Sequence, residues 1–409
     1  MKKVLKWLGV TVGGLVVAAC GFAAYVAARP LPTYATRAVA LKVEVTPERV
    51  ARGKRHAELL CAGCHFDSGT GALTGKQMLD LPPQFGKAFS RNVTGHPTKG
   101  IGSWTDGEIA FLLRTGIGRD GRYMPPWMVK LPHASDQDIE DVIAFLRSDD
   151  PLVRANAADN RESEPSFLTK MLCRVVFKPF VYPERPIVAP PPTDAVAYGR
   201  YLTTSRLQCF QCHSADFKSN DDLRPESSAG YLGGGNAMPD LAGKLVYTSN
   251  LTPDAETGLG RWTYEQFRRA LTEGIGTDNE PLRFPMVPYR ILEEQEVAAI
   301  YAYLRSVPAL RNPVPSPEPY DVPAGDRGLQ VFYKYRCNSC HGDHGLGQYD
   351  LRQGPAHYPT DDALIAYIKH PERLKPGIAM PTWDGVIQED EYAPLAGYVR
   401  TLAVSAPGR

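Results

Sequence analysis

Three short stretches of this chain carry the same set of reactive side chains at the same spacing: Cys61-Ala62-Gly63-Cys64-His65, Cys209-Phe210-Gln211-Cys212-His213 and Cys337-Asn338-Ser339-Cys340-His341. A C-x-x-C-H run offers two thiols that can reach the two vinyl groups of one porphyrin, and an adjacent imidazole that can ligate its iron. The three copies use six of the eight cysteines. The expectation is three covalently attached haem c groups, with Cys61, Cys64, Cys209, Cys212, Cys337 and Cys340 as the attachment points and His65, His213 and His341 as iron ligands. Other uses fit less well. A four-cysteine zinc site needs two C-x-x-C pairs about 15–20 residues apart, whereas these pairs lie far apart and each has its own histidine. Disulfide frameworks suit short secreted chains, and a thioredoxin-like pair requires no histidine at a fixed offset.

The second axial ligand decides whether such an iron passes electrons or binds a substrate. Thioether sulfur is a soft ligand that favours ferrous iron and raises the reduction potential. An internal repeat selects the candidates. A shift of 158 residues carries Asn92-Val93-Thr94 onto Asn250-Leu251-Thr252, Trp104-Thr105 onto Trp262-Thr263, Gly116-Ile117-Gly118 onto Gly274-Ile275-Gly276, and Leu146-Arg147-Ser148 onto Leu304-Arg305-Ser306. The same shift carries Met128 onto Met286 but Met124 onto Leu282. Met128 and Met286 are therefore the expected ligands, with Met124 as the rival for the first iron. Met380, in Gly377-Ile378-Ala379-Met380-Pro381, is expected for the third. Met238 has no counterpart and reads as core filler. His56, His96, His133, His344, His357 and His370 do not recur under the shift, so the repeat gives no support to bis-histidine ligation.

Helices must position these groups. Thr46-Pro47-Glu48, Thr193-Asp194 and Gly325-Asp326 read as helix starts ahead of each motif. Gly53, Gly199 and Gly328 fall inside those helices, where glycine costs about 1 kcal/mol relative to alanine, so close approach of another helix is expected. The partner is an apolar stripe downstream: Ile139, Val142, Ile143, Leu146; then Val297, Ile300, Tyr301, Leu304; then Leu395, Tyr398, Val399, Leu402. Ser135 with Asp138 suggests a capping box on the first. From motif to repeat the second copy is longer, with 37 residues from His213 to Asn250 against 27 from His65 to Asn92. The extra length is expected in the loop around Gly233-Gly234-Gly235.

The 409 residues carry a formal net charge of +1 with 22% charged side chains, which gives no case for nucleic-acid binding. Trp7 to Ala28 is free of charge and long enough to cross a bilayer, and the lysines before it favour a cytoplasmic N-terminus. A cleaved leader is the alternative, since Val17-Ala18-Ala19-Cys20 resembles a lipoprotein cleavage box. The organisation read from these features is an anchor (1–28), a tether (29–45), a first haem module (46–150), a linker or brace (151–192), a second module (193–308), a proline-rich linker (309–323) and a third module (324–409). Within the brace, Lys170, Arg174 and Lys178 share one helical face, so a surface helix touching membrane or a partner is the alternative to an interdomain brace, and Cys173 reads as a buried small residue.

With motif, methionine and closing helix in place, each module resembles a class I cytochrome c domain, which implies an all-α fold of three tandem domains after an N-terminal transmembrane helix. Modules one and two also resemble the cytochrome subunits of membrane-bound dehydrogenases that act on alcohols, gluconate, sorbitol or fructose. The run Ser249-Asn250-Leu251-Thr252-Pro253-Asp254-Ala255-Glu256-Thr257-Gly258-Leu259-Gly260-Arg261-Trp262-Thr263 carries that resemblance, with a degraded copy from Arg91 to Thr105. It implies a non-catalytic chain on the periplasmic side of a bacterial inner membrane, taking electrons from a dehydrogenase subunit and passing them to quinone or to a downstream cytochrome or oxidase. The chain departs from that pattern in carrying its anchor at the N-terminus. A haem enzyme of the dihaem peroxidase type, with one open iron, is the competing reading.

Overall fold

Helices begin in this chain where a short polar side chain can accept from the free amides of the first turn. Thr105 and Thr263 do so from Glu108 and Gln266, in two reciprocal capping boxes 158 residues apart. Asp194 accepts from the Ala197 amide and Asp326 from Leu329, at the helix starts expected from the sequence. The computed structural model describes residues 2–241, 243–316, 321–347, 349–352, 354–374 and 380–404. Parts of the proline-rich linker (317–320) and the Gly377-Ile378-Ala379 lead into Met380 lie outside them.

The main helices are α1 (Lys2–Ala28), α2 (Pro47–Leu60), α3 (Asp106–Thr115), α4 (Asp136–Leu146), α5 (Phe167–Val175), α6 (Ala195–Tyr201), α7 (Tyr264–Glu273), α8 (Glu294–Ser306), α9 (Arg327–Lys334), α10 (Asp361–Lys369) and α11 (Tyr392–Val404). A π-helical segment, Leu202–Arg206, continues α6. The all-α expectation needs amendment. β1 (Gly86–Lys87) pairs antiparallel with β2 (Glu164–Pro165), and β3 (Ala237–Pro239) with β4 (Leu245–Tyr247). Both pairs are two-stranded trims on a helical framework.

The chain divides into two compact units. One comprises Met1–Thr46, Cys64–Pro132 and Leu146–Glu184; the other comprises Pro47–Gly63, His133–Phe145 and Arg185–Arg409. The first unit holds α1, α3 and α5. Helix α1 is long and apolar enough to cross a membrane, and Leu5, Trp7, Leu15 and Val17 are exposed along it. The second unit holds two hydrophobic cores. One gathers Tyr198, Leu202, Phe210, Leu232, Phe267, Ile300 and Leu304. The other gathers Val331, Phe332, Leu364, Trp383, Leu395 and Val399. Each such side chain contributes about 1.5–3 kcal/mol on burial.

The three helix-embedded glycines are crossing points. A Cβ on Gly53 would stand 1.8 Å from the Asp141 carbonyl oxygen, one on Gly199 1.8 Å from that of Ala299, and one on Gly328 2.1 Å from that of Pro394. Any side chain there would force the paired helices apart. The Ser135–Asp138 box is only half made: Ser135 Oγ accepts from the Asp138 amide at 3.1 Å. The Asp138 carboxylate turns instead to Arg206 and Tyr201, and the Ser135 amide donates to Tyr201 Oη at 2.8 Å.

Candidate functional site

Each motif lies on a short helical turn just after its N-terminal helix, at Ala62–His65, Cys209–Cys212 and Asn338–His341. The three imidazoles are held alike. His65 Nδ1 lies 2.7 Å from the Arg91 carbonyl oxygen, His213 Nδ1 2.8 Å from that of Ser249, and His341 Nδ1 2.8 Å from that of Tyr349. A carbonyl can only accept, so the proton sits on Nδ1 and the Nε2 lone pair is left for a metal. Burial lowers the pKa of all three histidines, which keeps the rings neutral at neutral pH.

The main chain beside each ring is fixed too. The amides of Gly75, Gly234 and Gly347 donate to the carbonyls of His65, His213 and His341 at 2.8, 2.9 and 2.8 Å. Gly75 and Gly234 have positive φ, and a Cβ on either would meet backbone within 2.4 Å, so only glycine makes this latch. The sequence reading missed these residues because the latch falls at a different distance from each motif. The same contacts relocate the extra length of the second module. Leu73 and Leu232 accept equivalent bonds from Val93 and Leu251, yet Leu73 is eight residues after His65 and Leu232 nineteen after His213. The insertion therefore precedes the glycine-rich loop, around the 3-10 turn Pro225–Ser227.

The six motif cysteines are all partly buried. Burial pushes Cys209 and Cys337 up to about 12, pushes Cys212 and Cys340 up to about 11, and raises Cys64. Paired thiols beside neutral imidazoles are a donor set that fits thioether attachment of haem with histidine on iron. The second module adds Tyr289, whose phenol is raised by burial and by proximity to Cys209 and Cys212.

The methionines obey the repeat in backbone detail. The Met124 and Leu282 amides donate to Gly116 and Gly274, both at 2.8 Å, while Met128 and Met286 close turns on Pro125 and Arg283 at 3.1 and 3.0 Å. Met124 packs on Gly118, its methyl 3.2 Å from where a Cβ would stand. Cys209 and Met286 border one core of the second unit, and Cys337 and Met380 border the other. Cys64, His65, Met124 and Met128 belong to the first unit, while Cys61 is counted with the second.

Two arginines of the second unit tie modules together. Arg206 donates to Asp138 at 2.9 and 3.0 Å and to Glu296 at 2.6 Å, and Glu296 also receives Arg55 at 2.6 Å. These side chains are nearly buried, except that of Arg55. Arg290, four residues past Met286, donates to the Met380 carbonyl from Nε at 3.1 Å and Nη2 at 2.5 Å, and to Thr382 Oγ1 at 2.8 Å.

Comparison with known proteins agrees with this construction. A family model described as Cytochrome c matches residues 50–149 and 196–308, more than half of the chain. This chain belongs to the cytochrome c family. A further model, described as cytochrome C oxidase, cbb3-type, subunit III, matches residues 323–399, the part carrying the third motif. A nicotinate dehydrogenase subunit of Pseudomonas putida is 28% identical over 83% of this cytochrome c chain and 29% of its own length. The fructose dehydrogenase cytochrome subunit of Gluconobacter japonicus is 26% identical over 73% of the chain and 64% of its own length. The cytochrome c subunit of the alcohol dehydrogenase (quinone) of Gluconobacter oxydans is 26% identical over 88% and 80%. The chain thus spans under a third of the first relative and just under two thirds of the second. None of these names supports the peroxidase alternative.

Proposed function

We propose that this chain is a membrane-anchored triheme electron carrier, the electron-transfer subunit of a dehydrogenase complex, passing electrons to quinone or to a downstream cytochrome or oxidase. The observation that carries the reading is the threefold C-x-x-C-H motif with each histidine tautomer set by a main-chain carbonyl. Cys61 and Cys64, Cys209 and Cys212, and Cys337 and Cys340 are the attachment points. His65 with Met128, His213 with Met286, and His341 with Met380 are the axial pairs. Haem, when bound, supplies reversible one-electron chemistry. The chain orients the imidazoles and presents thioether sulfur. Helix α1 anchors the chain in the bacterial inner membrane, with the N-terminus cytoplasmic and the haem modules periplasmic. The family likeness and the dehydrogenase subunits among the relatives support a dehydrogenase as the electron donor.

Pyridine haemochrome analysis of the purified protein tests this directly, with three haems per chain expected. Ferric spectra should show the far-red thioether–iron band at three equivalents and no high-spin signal. Fewer haems, or a high-spin centre that turns over hydrogen peroxide, would overturn the reading.

A further inference from the structure

The segment between modules one and two, read from sequence as a brace, makes an unexpected set of contacts with the end of the anchor. Lys170 Nζ of α5 donates to the Ala27 carbonyl at 3.1 Å, and Arg174 donates to the Pro30 carbonyl. The Arg174 guanidinium lies 5.6 Å over the Tyr25 ring, which Arg29 also approaches at 5.9 Å. Val26 is fully buried, unlike most of α1. Cations at these carbonyls complement the negative end of the α1 dipole, so the contact is electrostatically matched as well as packed.

Depth follows from length. The uncharged run from Trp7 to Ala28 is about 33 Å long as a helix, close to the roughly 30 Å of a bilayer's hydrocarbon core. Residues 25–30 then stand at the outer boundary, and α5 touches those residues. The faces of α5 suit that depth. Thr169 and Cys173 are buried, with Thr169 Oγ1 donating to the Phe85 carbonyl at 2.7 Å. The opposite face carries Phe167, Met171 and Val175, spaced four apart, beside Lys170 and Arg174, and Lys178 follows just past the end of the helix. Phe167 is 46% exposed and Val175 58%. Large apolar side chains beside long cationic ones, one turn from the end of a membrane span, make a surface for the headgroup boundary rather than for water.

We infer that α5 is an interfacial helix that docks on the outer leaflet of the bilayer crossed by α1, its apolar row entering the acyl boundary and its basic row meeting anionic phosphate headgroups. The inference rests on the anchor reading of α1, and the test separates the two. Full-length holoprotein carrying Cys20→Ser and Cys173→Ala is placed in nanodiscs of phosphatidylcholine alone or mixed with phosphatidylglycerol. Single cysteines at Leu15, Val175 or Val188 are then timed against a hydrophilic maleimide-polyethylene glycol. Val188 is 83% exposed and sets the free rate.

The Leu15→Cys thiol is expected to be unreactive in both discs. Val175→Cys should react about tenfold more slowly than Val188→Cys, and more slowly still with phosphatidylglycerol. Adding Lys170→Gln, Arg174→Gln and Lys178→Gln should abolish the lipid dependence, with haem spectra unchanged as the folding check. A protected Leu15→Cys with a Val175→Cys that reacts at the free rate in both lipids overturns the interfacial helix alone. A freely reactive Leu15→Cys removes the anchor, and this inference with it.

Discussion

The two arginine-centred junctions in the second unit are built on different principles. At the first, Arg206 sits among carboxylates, Asp138 from α4 and Glu296 from α8, with Arg55 of α2 on the outer side of Glu296. At the second, Arg290 reaches main-chain carbonyls of Met380 and Glu273 and a threonine hydroxyl, with Glu372 only at 4.0 Å. Paired charges lock helices in one orientation because any slip leaves an ion buried and alone. Donation to carbonyls instead fixes a loop, and here the loop carries a proposed iron ligand. The first junction sets architecture; the second holds a proposed ligand in position.

The sharpest break of this contrast is Arg206→Ala. It takes the charge partner from nearly buried Asp138 and leaves Glu296 with Arg55 alone, so a loss of about 3 kcal/mol in unfolding free energy is expected by denaturant titration, while the haem spectrum of the folded protein stays as it was. Arg290→Gln should cost less, about 1.5–3 kcal/mol for bonds donated by a charged group. Its signature is spectroscopic: weakening of the far-red band of one haem, and a lower midpoint for that haem in a redox titration because the bonds that hold the Met380 loop are lost. If Arg206→Ala alters the band and Arg290→Gln does not, the division of labour proposed here is wrong.

The smallest effect concerns His56, buried beside Asp138, with its Nε2 3.8 Å from a carboxylate oxygen. Burial lowers its pKa, against the pull of Asp138 and alongside repulsion from Arg206. The folded state therefore refuses a proton that the unfolded chain accepts below about pH 6.5, and stability should decline as pH drops through that value. Asp138 has a depressed pKa, so its contribution persists above its ordinary range and is lost at lower pH. His56→Leu should flatten the decline near pH 6 in melting curves and leave the more acidic loss in place.

Much of this was legible in the sequence. The motif, the 158-residue repeat and the crossing glycines are local patterns, and each corresponds to a contact: Gly53 to Asp141, Gly199 to Ala299, Gly328 to Pro394. The N-caps at Asp194 and Asp326 were likewise readable. What escaped depends on distant partners. Asp138 looked like half of a capping box, but Arg206, 68 residues on, competes successfully for its carboxylate. Arg290 had no reason to stand out until Met380 was placed beside it. The brace reading of α5 rested on its length, whereas its contact with the end of α1 comes from 143 residues away.

Arg91, Ser249 and Tyr349 differ in size and charge, yet each offers the same main-chain oxygen to an imidazole. Because the peptide unit supplies that bond, a change of side chain at these positions does not remove it. Descendants of such a chain are free to diversify their surfaces right up to the edge of the redox centre, and alignments scored by residue identity will pass over the residues that aim the metal's ligand.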